Sequence, residues 1–222
     1  MKAIVLSSGG VASTTCVSLA VKKHGKENVA TVTVFYGQKL DKEIQCARNI
    51  ARYFQLEHYE FDLQDIYTYS HCSLLKHGKA VNHSSYENQI KDGKVISSYV
   101  PFRNGLMLSV CAVLAQSLYP EEDCEIYLGN HASDFAYADC SEKFVEKMDA
   151  AIAEGTYKKV HFVSPLKALT KTQVVEVGIK LGTPYELTWS CYEGGEKPCR
   201  ECASCIEREL AFKNNGMIDP LL

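Results

Sequence analysis

Four cysteines near the C-terminal end, Cys191, Cys199, Cys202 and Cys205, fall within fifteen residues of one another. The last three repeat a C-x-x-C spacing, Cys199-Arg200-Glu201-Cys202 and Cys202-Ala203-Ser204-Cys205. Four soft thiolates at this spacing can surround one tetrahedral ion at about 2.3 Å per sulfur. Zinc is the expected ion, with an iron–sulfur cluster as the alternative. A redox dithiol needs one C-x-x-C rather than four sulfurs, and a disulfide framework belongs to oxidising compartments. With cysteine at all four positions no coordination site stays open, so the ion is expected to be structural.

A second group, near the start of the chain, suits anions. Ala3 to Leu6 is a short apolar run that reads as a buried strand. Gly9 and Gly10 break it, and Ser13-Thr14-Thr15 leads into Val17, Leu19, Ala20 and Val21 at helical spacing. Such a turn aims the first N–H groups of the helix, and roughly half a positive charge of helix dipole, at whatever fills it. Glycine lets the backbone approach a phosphate, and the hydroxyls of Ser8, Ser13 and Thr14 can donate without adding charge. An ordinary tight turn is the other reading. The loop matches neither G-x-x-x-x-G-K-[ST] nor G-x-G-x-x-G.

Polar function gathers at two further places. Val100-Pro101-Phe102-Arg103-Asn104 leads into an apolar helix, Gly105 to Leu118. Arg103 then lies at a helix start, where a cation opposes the dipole. An anion or a carbonyl-rich ligand facing Arg103 would offset that cost, whereas a snorkelling surface arginine would need neither. Between Gly129 and Ser141, after a strand end, come His131, Asp134, Tyr137, Asp139 and Cys140. That density reads as a site. Ser141 can also cap a helix with Phe144, Val145 and Met148 as its buried stripe.

The elements that must position these groups alternate. Strands are expected at Ala3 to Leu6, Val29 to Phe35, Glu57 to Phe61, Glu125 to Leu128 and Val160 to Val163. Helices are expected over Asp41 to Tyr53, Gly105 to Leu118 and Val174 to Leu181, the last begun by Thr170-Lys171-Thr172-Gln173 and stopped by Gly182-Thr183-Pro184. This order predicts an α/β fold, a doubly wound and mainly parallel sheet of about five strands. Tyr36-Gly37-Gln38 comes after the second strand, where such sheets bind ligands. Residues 64–97 lose the regularity and suggest an insertion or lid on a core spanning 1–186. His71, His77 and His83 lack metal-site spacing and read as solvated, with Lys91-Asp92-Gly93-Lys94 as a turn.

The 222 residues suit one domain, with 187–212 as a small metal knuckle. A net charge of -3 argues against stable nucleic-acid binding. No apolar run reaches membrane-span length, and no leader precedes the strand in residues 1–6, so a cytoplasmic location is expected. Six further cysteines are scattered and read as small buried hydrophobes.

Ser8-Gly9-Gly10-Val11-Ala12-Ser13 resembles the S-G-G-x-D-S loop of the PP-loop ATP pyrophosphatases at every position but Ala12. Taken with Phe35-Tyr36-Gly37-Gln38, Val100-Pro101-x-Arg103-Asn104, Gly129-x-His131, Tyr137-x-Asp139-Cys140 and Trp189-Ser190-Cys191-Tyr192-Glu193-Gly194-Gly195 before the cysteine pairs, the chain resembles the 7-cyano-7-deazaguanine synthases. The resemblance runs from Lys2 to about Phe212. It implies an ATP-dependent ligase that adenylates 7-carboxy-7-deazaguanine, forms the amide with ammonia, then activates the amide to leave the nitrile.

By the same resemblance, Ser8, Gly9, Gly10, Ser13, Thr14, Tyr36 and Gln38 would bind ATP, with Mg²⁺ spreading the pyrophosphate charge. Arg103, Lys171 and Asp139 would be catalytic. Arg103, Asn104, His131, Asp134, Tyr137 and Asp139 would hold the deazaguanine, and a homodimer is expected. Ala12 stands where the family has aspartate, and a methyl group neither orders the loop nor holds Mg²⁺. Weakened turnover on an intact fold is the expected consequence. The rival outcomes are a relative that joins the carboxylate to a protein amine in antiphage defence, and a non-catalytic nucleotide- or deazaguanine-binding module.

Overall fold

The structure, a computed structural model, describes residues 1–39, 41–81, 88, 95–134, 136–193 and 195–222. His83, the 91–94 turn and Gly194 lie outside the described residues. Five strands form one sheet: β1 (Lys2–Leu6), β2 (Val29–Phe35), β3 (Glu57–Asp62), β4 (Cys124–Tyr127) and β5 (Val160–Val163). Their order is β3-β2-β1-β4-β5, and every neighbouring pair runs parallel. The expected doubly wound sheet is what the chain forms.

Alternation along β1 explains how both faces are covered. Ile4 and Leu6 point to one face and Ala3 and Val5 to the other, as a period of two requires. The first face is packed by α3 (Arg103–Leu118), through Met107, Leu108, Cys111 and Ala115, and by Val145 of α4 (Glu142–Gly155). The second is packed by α1 (Val11–His24) through Cys16, Val17 and Ala20, and by Ile50 of α2 (Asp41–Phe54). Val174 and Val175 of α5 (Lys171–Leu181) and Phe212 of α6 (Ala203–Asn214) complete that layer.

Two starts and a stop behave as their residues dictate. The Ser141 hydroxyl accepts from the Phe144 N–H at 3.2 Å, and Thr170 with Gln173 forms a reciprocal capping box. Gly182 ends α5 in the left-handed region, at φ 67°. In the irregular stretch, Tyr67, Cys72, Leu74 and Leu75 are buried in the first core, and Leu75 bridges Gln38. His71 and His77 are exposed.

Reversal of strand order puts the switch point between β1 and β4, and ligands of such sheets bind beyond the strand ends there. The Ser8–Ser13 turn comes directly after β1, and the Gly129–Cys140 segment comes after β4. Topology alone brings the two candidate groups together.

Candidate active site

A cavity of about 230 Å³ opens at that switch point. Its floor is the start of α1. Gly9 adopts φ +76°, and a Cβ there would lie 2.2 Å from the Glu43 carbonyl oxygen. Only glycine fits. The turn is braced from within: the Ser8 N–H donates to Ser13 Oγ at 3.2 Å, and the hydroxyls of Ser13 and Thr14 donate to the Gly10 carbonyl at 3.1 and 2.7 Å. Thr14 is fully buried and serves the helix rather than the cavity. Gly10 caps α1 without a side chain, and the first turn contains no acidic residue. Its free N–H groups therefore face the cavity with their dipole uncompensated. Gly129 packs against this turn so closely that a Cβ would sit 2.9 Å from the Ser13 nitrogen.

Arg103 reaches the cavity from the first turn of α3 and donates to the Tyr36 hydroxyl at 3.3 Å, its guanidinium 5.4 Å from that ring's centroid. Burial works against its charge, and the groups around it, Tyr36 foremost, outweigh burial and raise its pKa. The dipole at this helix start is met from inside the protein. Asp139, five per cent exposed, accepts the Asn104 N–H at 2.9 Å, while the Asn104 side chain donates to the Asp139 carbonyl at 3.2 Å. A carboxylate at a helix N-terminus is favourable, and this one also adds to the field around Arg103, after Tyr36, Cys140 and Tyr137.

His131, Asp134 and Lys171 form a second cluster on the cavity wall. The Lys171 ammonium lies 3.2 Å from His131 Nε2, and the His131 N–H donates to Asp134 Oδ2 at 2.9 Å. Burial, then the Lys171 charge, pushes His131 down to about 2, so the ring is neutral. With Nε2 accepting from lysine, the ring proton sits on Nδ1, which is buried without a hydrogen-bond partner among the described residues. Burial raises Asp134 above the usual carboxylate value, against Lys171.

Of the residues singled out in the sequence, Ser8, Gly10, Ser13, Tyr36, Gln38, Arg103, Asn104, His131, Asp134, Tyr137 and Lys171 line this cavity. Gly9, Thr14 and Asp139 stand behind the lining. Gln38 is turned inward, its Oε1 accepting the Tyr36 N–H at 2.8 Å. Two lining carboxylates escaped the sequence reading, Glu43 on α2 and Glu207 on α6; burial pushes each up to about 7. Glu43 lies on a helix whose buried residues are Ile44, Ala47, Ile50 and Ala51, and its own spacing carries no mark of a site. Glu207 could have been found as the residue one turn past Ser204, on the helix the cysteines begin.

The cysteine knuckle borders the same cavity through Trp189, Ser190, Tyr192, Ser204 and Glu207. The Sγ atoms of Cys191, Cys199, Cys202 and Cys205 all lie within 4.8 Å of one another, close enough to hold a metal ion. Backbone N–H groups already point at the sulfurs: Cys199 N donates to Cys191 Sγ at 3.3 Å, and Cys202 N to Cys199 Sγ at 3.3 Å. Cys202 sits at the N-cap position of α6. Behind the knuckle Arg208, two per cent exposed, pairs with Asp219 through two bonds of 2.7 and 2.9 Å and donates to Thr188 Oγ1 at 2.8 Å. The Trp189 backbone N–H donates to the Gly9 carbonyl at 2.9 Å and ties knuckle to turn.

No described helix is long and apolar enough to cross a membrane. In fold the chain resembles the NMN synthetase of Francisella tularensis, with a TM-score of 0.50 at 16% identity over 97% of this chain and 77% of that one. In sequence it is 37% identical to the 7-cyano-7-deazaguanine synthase of Archaeoglobus fulgidus, covering 100% of this chain and 90% of that protein. It is also 37% identical to the enzyme of the same name from Campylobacter jejuni, covering 99% and 97%. The family described as queuosine biosynthesis protein QueC matches residues 2–216. With nearly its whole length matched, the chain belongs to the QueC family of queuosine biosynthesis proteins.

Proposed function

We propose that this protein is an ATP-dependent ligase that converts 7-carboxy-7-deazaguanine and ammonia to 7-cyano-7-deazaguanine through an adenylated carboxylate and an amide. Besides family membership, one observation supports the reading most. An uncapped helix start free of acidic side chains opens on the same cavity as Arg103, Lys171 and the knuckle. A polyphosphate fits the first, and a planar acid fits between the others.

ATP supplies the phosphoanhydride whose cleavage activates the carboxylate, and Mg²⁺ would enter with the phosphates, since Ala12 offers it no ligand. The N–H groups at the start of α1, with Ser8 and Ser13, hold the pyrophosphate end; preorganised donors of this kind stabilise charge as it develops. Lys171 adds a point charge and Arg103 a planar fork for phosphate or carboxylate. Neutral His131 keeps the Lys171 ammonium oriented. Asp139 takes a positioning part, fixing Asn104 at the start of the helix that carries Arg103. Zinc held by Cys191, Cys199, Cys202 and Cys205 cross-links the wall that carries Tyr192 and Glu207. We place the enzyme in the cytoplasm, where thiols stay reduced, and take a homodimer as its working form.

Product analysis with ATP, Mg²⁺, ammonium and 7-carboxy-7-deazaguanine tests the reading, with Ala12→Asp run alongside. Nitrile and AMP are expected, in larger amount from the aspartate variant. ATP affinity without AMP release from either protein would replace the ligase by a binding module.

A further inference from the structure

Four carboxylates surround the cavity, and their partners differ. Asp139 is occupied by the Asn104 N–H. One oxygen of Asp134 is occupied by the His131 N–H. Glu43 makes no hydrogen bond or ion pair among the described residues, but it feels the Arg103 charge, and its own backbone carbonyl packs under Gly9. It sits on the phosphate side. Glu207 likewise has no hydrogen bond or ion pair among the described residues, and it lines the cavity from α6, one turn beyond Ser204. The Lys171 ammonium nearby is directed at His131. A half-buried carboxylate with both oxygens open is costly unless a ligand supplies donors.

Resting on the ligase reading above, we propose that Glu207 is the specificity-determining residue of the deazaguanine site, accepting the paired N–H donors of the heterocycle's N1 and 2-amino group. Two parallel donors match two carboxylate oxygens, and charge-assisted bidentate pairs are the strong ones. The same carboxylate turns adenine away, because adenine presents a lone pair at N1 where the deazaguanine presents a proton. Glu207 thereby keeps the base of ATP out of the second substrate's place. Tyr192, on the knuckle segment, lines the same cavity. The metal would act on specificity at a distance, by holding the start of the helix that carries Glu207.

Equilibrium binding tests this without requiring turnover. The metal-loaded full chain is titrated with 7-carboxy-7-deazaguanine, with its analogue lacking the 2-amino group, and with ATP. The unmodified protein should prefer the parent by about 100-fold, since a site built for donors rejects a ligand that lacks one. In Glu207→Gln the parent should weaken by about 100-fold, with the analogue and ATP within about threefold of the unmodified values. Glu207→Asp, which keeps the charge and shortens the reach, should lose about tenfold of the preference. An unchanged preference in either metal-replete variant overturns the inference and leaves the ligase reading standing. No binding of the parent to the unmodified protein overturns both.

Discussion

The turn at the start of α1 and the cysteine knuckle border one cavity, yet they are held by different physics. The turn is fixed by backbone geometry: a left-handed glycine, a helix start and hydroxyls bonded to the Gly10 carbonyl. It needs no ligand to exist. The knuckle gathers four sulfurs within 4.8 Å, an arrangement that thiolate repulsion opposes until a cation offsets it. The glycine turn is therefore built by the backbone, while the knuckle beside it brings together four thiols that could hold a metal ion.

The largest way to sharpen that contrast is to remove a sulfur. Cys202→Ser should release the metal and lower stability by more than about 4 kcal/mol, measured by denaturant unfolding with metal analysis. ATP binding should outlast deazaguanine binding during chelation; simultaneous loss would show that the turn depends on the metal too. Asp219→Ala comes next. It leaves Arg208 as an uncompensated buried charge, at a cost of about 3–5 kcal/mol, with no change in metal stoichiometry. In the turn, Gly9→Ala forces a side chain against the Glu43 carbonyl and should cost about 3 kcal/mol and weaken ATP, leaving metal content intact. Wild-type unfolding and wild-type ATP affinity in that variant would break the claim that backbone geometry alone builds the turn.

The smallest effect is one of pH. His131 is neutral in the fold, pushed down to about 2, and titrates near its ordinary value when unfolded. The unfolded chain binds the extra proton, so His131 by itself contributes a loss of about 1.4 kcal/mol per pH unit below about 6.5. Glu43 and Glu207, whose folded values are raised to about 7, contribute an opposite slope, and the difference between the profiles of the unmodified protein and a His131 variant isolates the histidine. His131→Gln should remove that contribution, leaving a variant that loses less stability than the unmodified protein as pH falls below about 6.5. An unaltered pH profile would mean that the imidazole is charged in the folded protein.

Elements were easier to read than partners. β-branched runs such as Val29–Phe35 and the Thr170–Gln173 start of α5 announce themselves locally, because strand period and capping chemistry are short-range. Asp139 shows the limit. In sequence it belongs to a polar cluster after a strand and looks like a substrate ligand; in the fold its carboxylate faces the Asn104 N–H, thirty-five positions away. The puzzle of Arg103 at a helix start was legible, but not its answer. Glu43 had no local mark, since a charged residue on a helix defaults to the solvated face, and Glu207 had only its place on the helix that the cysteines begin.

The amino-acid sequence by itself determined the parallel α/β order, the glycine turn and the metal-spaced thiols. Each rests on periodicity or spacing over a few residues. Only the tertiary structure decided which carboxylates are spent on the protein and which are left open. That depends on the reversal of strand order between β1 and β4, which brings the turn, α3 and the knuckle helix to one cavity from positions up to two hundred residues apart. A hydrogen-bond partner is a fact about space, and the chain specifies it only by folding.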